Sequence, residues 1–172
     1  MLRRLLVLVG WCVLESCASL TPPSVSAPLR APDDERVVLR ADARGVQIYD
    51  CRMALDGSGW EWVLRGPEAD LRGDPGRVIV RHYAGPTWEA ADGSKVVGEL
   101  VRRLPAPKRE AVPWLLLRAQ KTEGSGVLAG VTWIQCVDTQ GGQAPALGCD
   151  GGHAGASARV PYRATYYFYG RR

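Results

Sequence analysis

A chain of 172 residues with 22 Lys and Arg against 18 Asp and Glu carries a net charge of only +4, with both signs interspersed. That balance excludes a tract built to follow phosphates: Arg102-Arg103, Lys108-Arg109 and Arg171-Arg172 are separate doublets that read as solvated surface, so nucleic acid is not an expected partner. Asparagine is absent and 19 arginines stand against three lysines, a skew that a GC-rich coding sequence explains without function and that leaves no N-glycosylation acceptor.

The N-terminus reads as an address. Arg3 and Arg4 precede an apolar run, Leu5 to Leu14, that is too short to span a bilayer as a stable helix. Leu14-Glu15-Ser16-Cys17 resembles a bacterial lipobox, although Glu15 stands where such motifs carry a small neutral residue. Ser16-Cys17-Ala18 also meets the small-x-small rule for ordinary signal cleavage, so a soluble periplasmic or secreted protein is the alternative to a lipid-anchored one in the cell envelope. Residues 1–16 are therefore expected to be a signal peptide and Cys17 the lipid attachment point. Residues 17–33 follow as a tether, because Thr21 to Pro32 holds four prolines and no periodic apolar face. Residues 34–172 form one domain. Removing residues 1–16 leaves 172 − 16 = 156 residues, and because Arg3, Arg4 and Glu15 carry a net +1, the charge falls from +4 to +3. That length is enough to bury a substantial core.

From Asp34 onward short apolar or alternating runs recur: Val37 to Ala43, Val46 to Arg52, Trp60 to Arg65, Val78 to Tyr83, Val96 to Val101, Trp114 to Ala119, Val131 to Val137 and Tyr162 to Tyr169. Turn chemistry separates them at Arg44-Gly45, Asp56-Gly57-Ser58-Gly59, Asp74-Pro75-Gly76 and Asp92-Gly93-Ser94. The last run alternates cleanly, with Tyr162, Ala164, Tyr166 and Phe168 on one face and Arg163, Thr165, Tyr167 and Tyr169 on the other. Val96, Val97, Leu100, Val101 and Leu104 could form a helical stripe, but Gly98 and Pro105 weaken it. The expectation is an all-β antiparallel meander of about eight short strands, closed into a small barrel or folded into a sandwich.

Without Cys12 and Cys17, three cysteines remain for an oxidising compartment, so one thiol stays free. Cys51 closes a strand and Cys149 lies in the flexible loop Gly148-Cys149-Asp150-Gly151-Gly152. This favours a Cys51–Cys149 bridge, worth roughly 4 to 5 kcal/mol on the chain-entropy picture. Gly45 to Cys51 and Gly130 to Cys136 echo one another, which keeps Cys51–Cys136 as the competing pair. Cys136 otherwise reads as a small buried hydrophobe.

One resemblance spans Asp34 to Tyr169. Gly45-Val46-Gln47-Ile48-Tyr49 with Cys51, Pro67-Glu68-Ala69-Asp70-Leu71, His82-Tyr83-Ala84-Gly85-Pro86-Thr87-Trp88-Glu89, Asp92-Gly93-Ser94-Lys95-Val96, Pro113-Trp114-Leu115-Leu116-Leu117, Gly130-Val131-Thr132, Gly141-Gly142 and Gly148-Cys149-Asp150 follow in order. Together they resemble a family of secreted bacterial and fungal proteins catalogued as domain of unknown function 3455. The resemblance implies no activity and no catalytic residues. Cys136 stands where that family more usually has Arg.

Only two histidines are present, so chemistry needing imidazole must use them. His82, Glu89, Asp150 and His153 could meet at one rim as ligands for a divalent cation or as an envelope hydrolase centre, yet no His-x-His or His-Glu-x-x-His spacing pre-organises them. No Gly-x-Ser-x-Gly elbow supports a serine nucleophile, and a Cys136–His82 couple needs a thiol that its strand context would bury. Trp60 and Trp62 share one strand face, as do Tyr167 and Tyr169, and each pair could stack on sugars or an apolar ligand or else fill the core. The function expected is non-catalytic binding of a small molecule or glycan, with no cofactor and with the membrane as a partner through lipid; a purely structural envelope lipoprotein is the remaining alternative. Replacing Cys17 by Ser removes the acceptor thiol, so the variant is expected to leave the membrane fraction; a variant still membrane-bound would refute the anchor.

Overall fold

Short β-prone runs bounded by glycine turns can satisfy their backbone N–H and C=O groups only by pairing strand to strand. The computed structural model describes residues 20–73 and 76–172, so the expected signal segment, Cys17 and the Asp74-Pro75 portion of the third turn lie outside the described residues. Eight strands form: β1 (Glu35–Met53), β2 (Trp60–Arg72), β3 (Val78–Tyr83), β4 (Thr87–Ala90), β5 (Lys95–Leu104), β6 (Trp114–Glu123), β7 (Trp133–Gly141) and β8 (Ser157–Arg171). Each pairs antiparallel with the next, and β8 returns to β1, closing the sheet into a barrel rather than a sandwich.

Two details differ from the sequence reading. The Arg44-Gly45 turn does not form; β1 runs straight through it. Gly45 is there for close approach, since a Cβ would overlap the Glu68 carbonyl oxygen and lie 2.6 Å from the Ala69 Cβ. The short strand β4 was not expected; its Trp88 pairs with His82 on β3 and with Val96 on β5. The stretch from Val96 to Leu104 lies within β5, not in a helix.

The interior is filled by setting large beside small. On β8 and β1, Tyr166 lies opposite Ala41 and Tyr162 opposite Gly45; Ala69 on β2 lies opposite His82 on β3. One end of the barrel is closed. Leu128 and Val131, in the loop between β6 and β7, are buried in the main core. That loop is pinned to the β4–β5 turn, where the Val127 N–H donates to Asp92 Oδ2 at 2.8 Å and the Leu128 N–H to Ser94 Oγ at 3.0 Å.

A second apolar cluster lies outside the barrel. Tyr167 and Tyr169 join Val37 and Val137 there, and Trp114, Trp133, Val25 and Ala31 pack against them. Val25 and Ala31 of the Pro-rich segment, expected to be an extended tether, thus pack on the wall. Leu29 is 1% exposed and its carbonyl accepts from Gln135 Nε2 at 2.5 Å, while Gln135 Oε1 accepts from the Tyr169 hydroxyl at 2.8 Å. The apolar residues among the prolines give the segment something to bury.

Cys51 at the end of β1 is bridged to Cys149 in the β7–β8 connection, 98 residues on, and Cys136 is free and buried. Cys136 lies between Leu115 and Tyr166 in the sheet register, inside the ring and away from Cys51. Thiol titration of the unfolded, unreduced protein beginning at Leu20 is expected to find one group, and reduction to lower stability by about 4.7 kcal/mol on the loop-entropy relation for such a span; three free thiols would exclude the bridge.

Candidate functional site

The end opposite the Leu128 plug opens into a cavity of about 500 Å³. Its inner surface comes from alternate residues of the strands: His82 on β3, Trp88 on β4, Leu117 on β6, Cys136 on β7 and Tyr166 on β8, all buried. Gln47 and Tyr49 of β1 form a side wall, and Leu64, Arg65, Leu100 and Arg103 form the exposed lip. The volume is that of an ordinary small-molecule pocket.

Aromatic stacking builds the floor. His82 and Trp88 lie face to face with centroids 4.3 Å apart and planes at 2°, and Tyr166 and Phe168 meet Trp88 edge-on at 5.7 and 6.1 Å. Gly98 on β5 makes room for the indole, because a Cβ there would lie 2.9 Å from a Trp88 ring carbon.

The hydrogen bonds of this floor fix its protonation. His82 Nδ1 lies 2.8 Å from the Thr87 carbonyl oxygen, which can only accept, so Nδ1 carries the proton and Nε2 keeps its lone pair. Burial pushes the His82 pKa down to about 4, opposed in part by the Thr87 contact, so the ring is neutral at pH 7. Burial likewise raises the Cys136 thiol to about 12, leaving it protonated and a poor nucleophile. Among the described residues, Gln47 Oε1 and Trp88 Nε1 of the lining are buried without a hydrogen-bond partner. Such atoms are costly, and enclosed as they are they offer an occupant of the cavity no direct contact.

The six ligand-binding candidates read from the sequence separate into three places. His82 alone is in the cavity. Glu89 alternates with Trp88 and faces out, accepting from the Tyr83 hydroxyl at 2.7 Å with Lys95 at 3.6 Å, contacts that lower its pKa in that order. Asp150 and His153 meet at 2.7 Å, but on an exposed turn where Asp150 also accepts from the Gly152 N–H. The His153 contact comes first among those holding the Asp150 carboxyl below its usual range. Trp60 and Trp62 serve the same loop: the Trp62 indole donates to the Leu147 carbonyl at 3.1 Å, and the Trp60 indole lies against Gly151. The two histidines therefore do not share a centre, and among the described residues no group of three His, Cys, Asp or Glu side chains is placed to hold a metal ion. Gln47, Arg65, Trp88, Arg103, Leu117 and Tyr166 were not singled out from the sequence as ligand-binding residues.

A buried neutral histidine makes stability depend on pH. The unfolded ring binds its proton near pH 6.5 and the folded ring only near 4, so the His82 contribution is complete above pH 6.5 and is lost as pH falls toward 4. His82→Phe keeps a ring against Trp88 and cannot titrate. The stability gap between the native protein and this variant is expected to shrink by about 3 kcal/mol between pH 7 and pH 4, read by denaturant unfolding at each pH; a pH-independent gap would contradict the neutral assignment.

The family described as "Protein of unknown function (DUF3455)" matches residues 32–170. No curated protein and no solved structure matches the chain. Because the match runs through all eight strands and every residue lining the cavity, the resemblance in the sequence motifs holds across the whole barrel, and the chain belongs to the DUF3455 family.

Proposed function

We propose that this protein is an exported binding module, held in the cell envelope by a lipid on Cys17, that takes a small and largely apolar molecule into the open end of its barrel. The observation that carries the reading is the one-ended cavity of about 500 Å³, lined mainly by apolar and aromatic side chains. A barrel that served only as structure would gain by closing such a space, since interiors otherwise pack to crystal-like density. A shape with one mouth, an aromatic floor and a few polar groups is the usual form of a small-molecule site.

The lining argues against a free sugar as the occupant, because a sugar needs a partner for each hydroxyl and Leu64, Pro67, Pro86, Leu100, Val112 and Leu117 offer none from their side chains. It also argues against nucleophilic catalysis, since burial holds the thiol protonated and makes the stacked imidazole a poor proton acceptor. The tyrosine hydroxyls nearest the floor are pushed upward by burial as well, Tyr166 most of all.

The neutral fluorescent probe N-phenyl-1-naphthylamine tests this reading. The expected result is saturable enhancement at a stoichiometry of one, weakened about tenfold or more by Leu115→Trp or Val112→Trp, each of which adds bulk to the cavity wall, with the circular dichroism of the barrel retained. No enhancement with the native protein, or enhancement unchanged in both variants, would overturn it.

A further inference from the structure

Resting on the proposed binding role, we infer that the cavity selects an amphiphilic anion: a carboxylate or phosphate monoester whose apolar body lies on the Trp88 floor and whose charged end stays at the lip with Arg65 and Arg103. Among the described residues, the lining contains no Asp or Glu, and its only permanently charged groups are these two guanidinium groups. Both lie on exposed residues, next to Leu64, which is 51% exposed, and near Leu100, which is 46% exposed. Apolar surface at the mouth beside positive charge is the pattern that an amphiphile matches with both of its ends.

The two arginines are not used up by the protein. Arg65 lies 3.6 Å from Asp50, but that carboxylate already accepts from Arg52 and Ser157, each at 2.8 Å. Arg103 has no acidic partner within 4.0 Å among the described residues. The same side of the mouth continues into the β5–β6 connection, where Arg103 and Pro113 also border a hollow lined by Lys108 and Arg109, with Glu110 as the only acid. Arg103, Lys108 and Arg109 are thus brought to one place beside the opening.

Size sets the rest. A cavity of about 500 Å³ is the size of an ordinary small-molecule pocket, so a single ten-carbon chain with a head group suits it. A charge placed at the floor would face a neutral histidine and an apolar wall, which leaves the lip as the only position where the head keeps both water and a counter-charge.

Displacement of bound N-phenyl-1-naphthylamine by four ten-carbon probes separates the outcomes. Decanoate or decyl phosphate is expected to displace about fivefold to tenfold more strongly than 1-decanol, with decylammonium weakest, the size of effect that two solvent-facing ion pairs provide. The advantage is expected to shrink in 0.5 M NaCl and to fall to about twofold or less in the double variant Arg65→Gln, Arg103→Gln. If both anions and the alcohol displace equally, or the anion advantage persists undiminished in the double variant, the anion assignment fails while the cavity reading stands. If the naphthylamine does not bind the native protein at all, both fail. Should the double variant not fold, the salt response and the order of the four probes on the native protein still decide the matter.

Discussion

Trp88 is the residue around which the barrel is arranged. An eight-stranded ring leaves an interior that side chains must fill, and here one indole, stacked flat on His82 and met edge-on by Tyr166 and Phe168, spans much of the middle. Everything toward the β6–β7 loop is closed by Leu128, Val131 and their neighbours, and everything toward the disulfide end stays open. The small residues follow from the same constraint. Gly98 has no Cβ because the indole lies against it, and Ala41 and Gly45 are small because Tyr166 and Tyr162 stand beside them. A truncated Trp88 would lose a fully buried aromatic and also the wall that separates cavity from core.

The open end is held by covalent and local contacts in place of core packing. Cys51–Cys149 ties the end of β1 to the β7–β8 connection, and the backbones of Gly155 and Ala156 bond back to Cys51. Trp60 and Trp62 then lie under that connection, and Tyr49 closes its inner side by donating to the Gly142 carbonyl at 2.6 Å. A rim built this way can stay fixed while enclosing empty volume, which a rim held by apolar packing could not do without filling it.

Much of the fold was legible because period-two alternation survives in single strands. Tyr162 to Tyr169 divides into inner and outer faces as its sequence alternates, and the disulfide followed from one strand-end cysteine, one loop cysteine and one strand-interior cysteine. What failed has a physical cause in each case. Gly45 looks like a turn because glycine for close approach and glycine for positive φ are the same letter; its φ is not positive, unlike that of Gly57 or Gly93. β4 is four residues long, too short to show a period. The site was harder still. Which residues face the cavity depends on closure of the ring and on bulges between Ile48 and Tyr49 and between Leu100 and Arg102, each of which shifts the phase of a strand. His82 stood out because histidine is rare here, whereas Arg65 and Arg103 were two of 19 arginines and carried no such signal. Asp150 and His153, expected to meet His82 and Glu89 at one rim, instead lie three residues apart on a single turn, where Asp150 accepts from the Gly152 amide and contacts His153.

The order of polarity along the cavity limits which way round an occupant can lie. From lip to floor the lining passes from exposed guanidinium groups through leucine and proline to a neutral imidazole and an indole. The arginines remain charged because they remain wet; drawn inward they would meet the same desolvation that keeps His82 neutral. The floor is therefore an apolar, largely aromatic surface that carries no compensating charge. An occupant with a single ionised end thus has one orientation in which neither its charge nor its apolar body is misplaced, with the charge outward beside the arginines and the body against Trp88. The sequence feature behind that asymmetry is modest: Trp88 sits at the start of a short strand, deep in the ring, while Arg65 and Arg103 sit where β2 and β5 reach the open end.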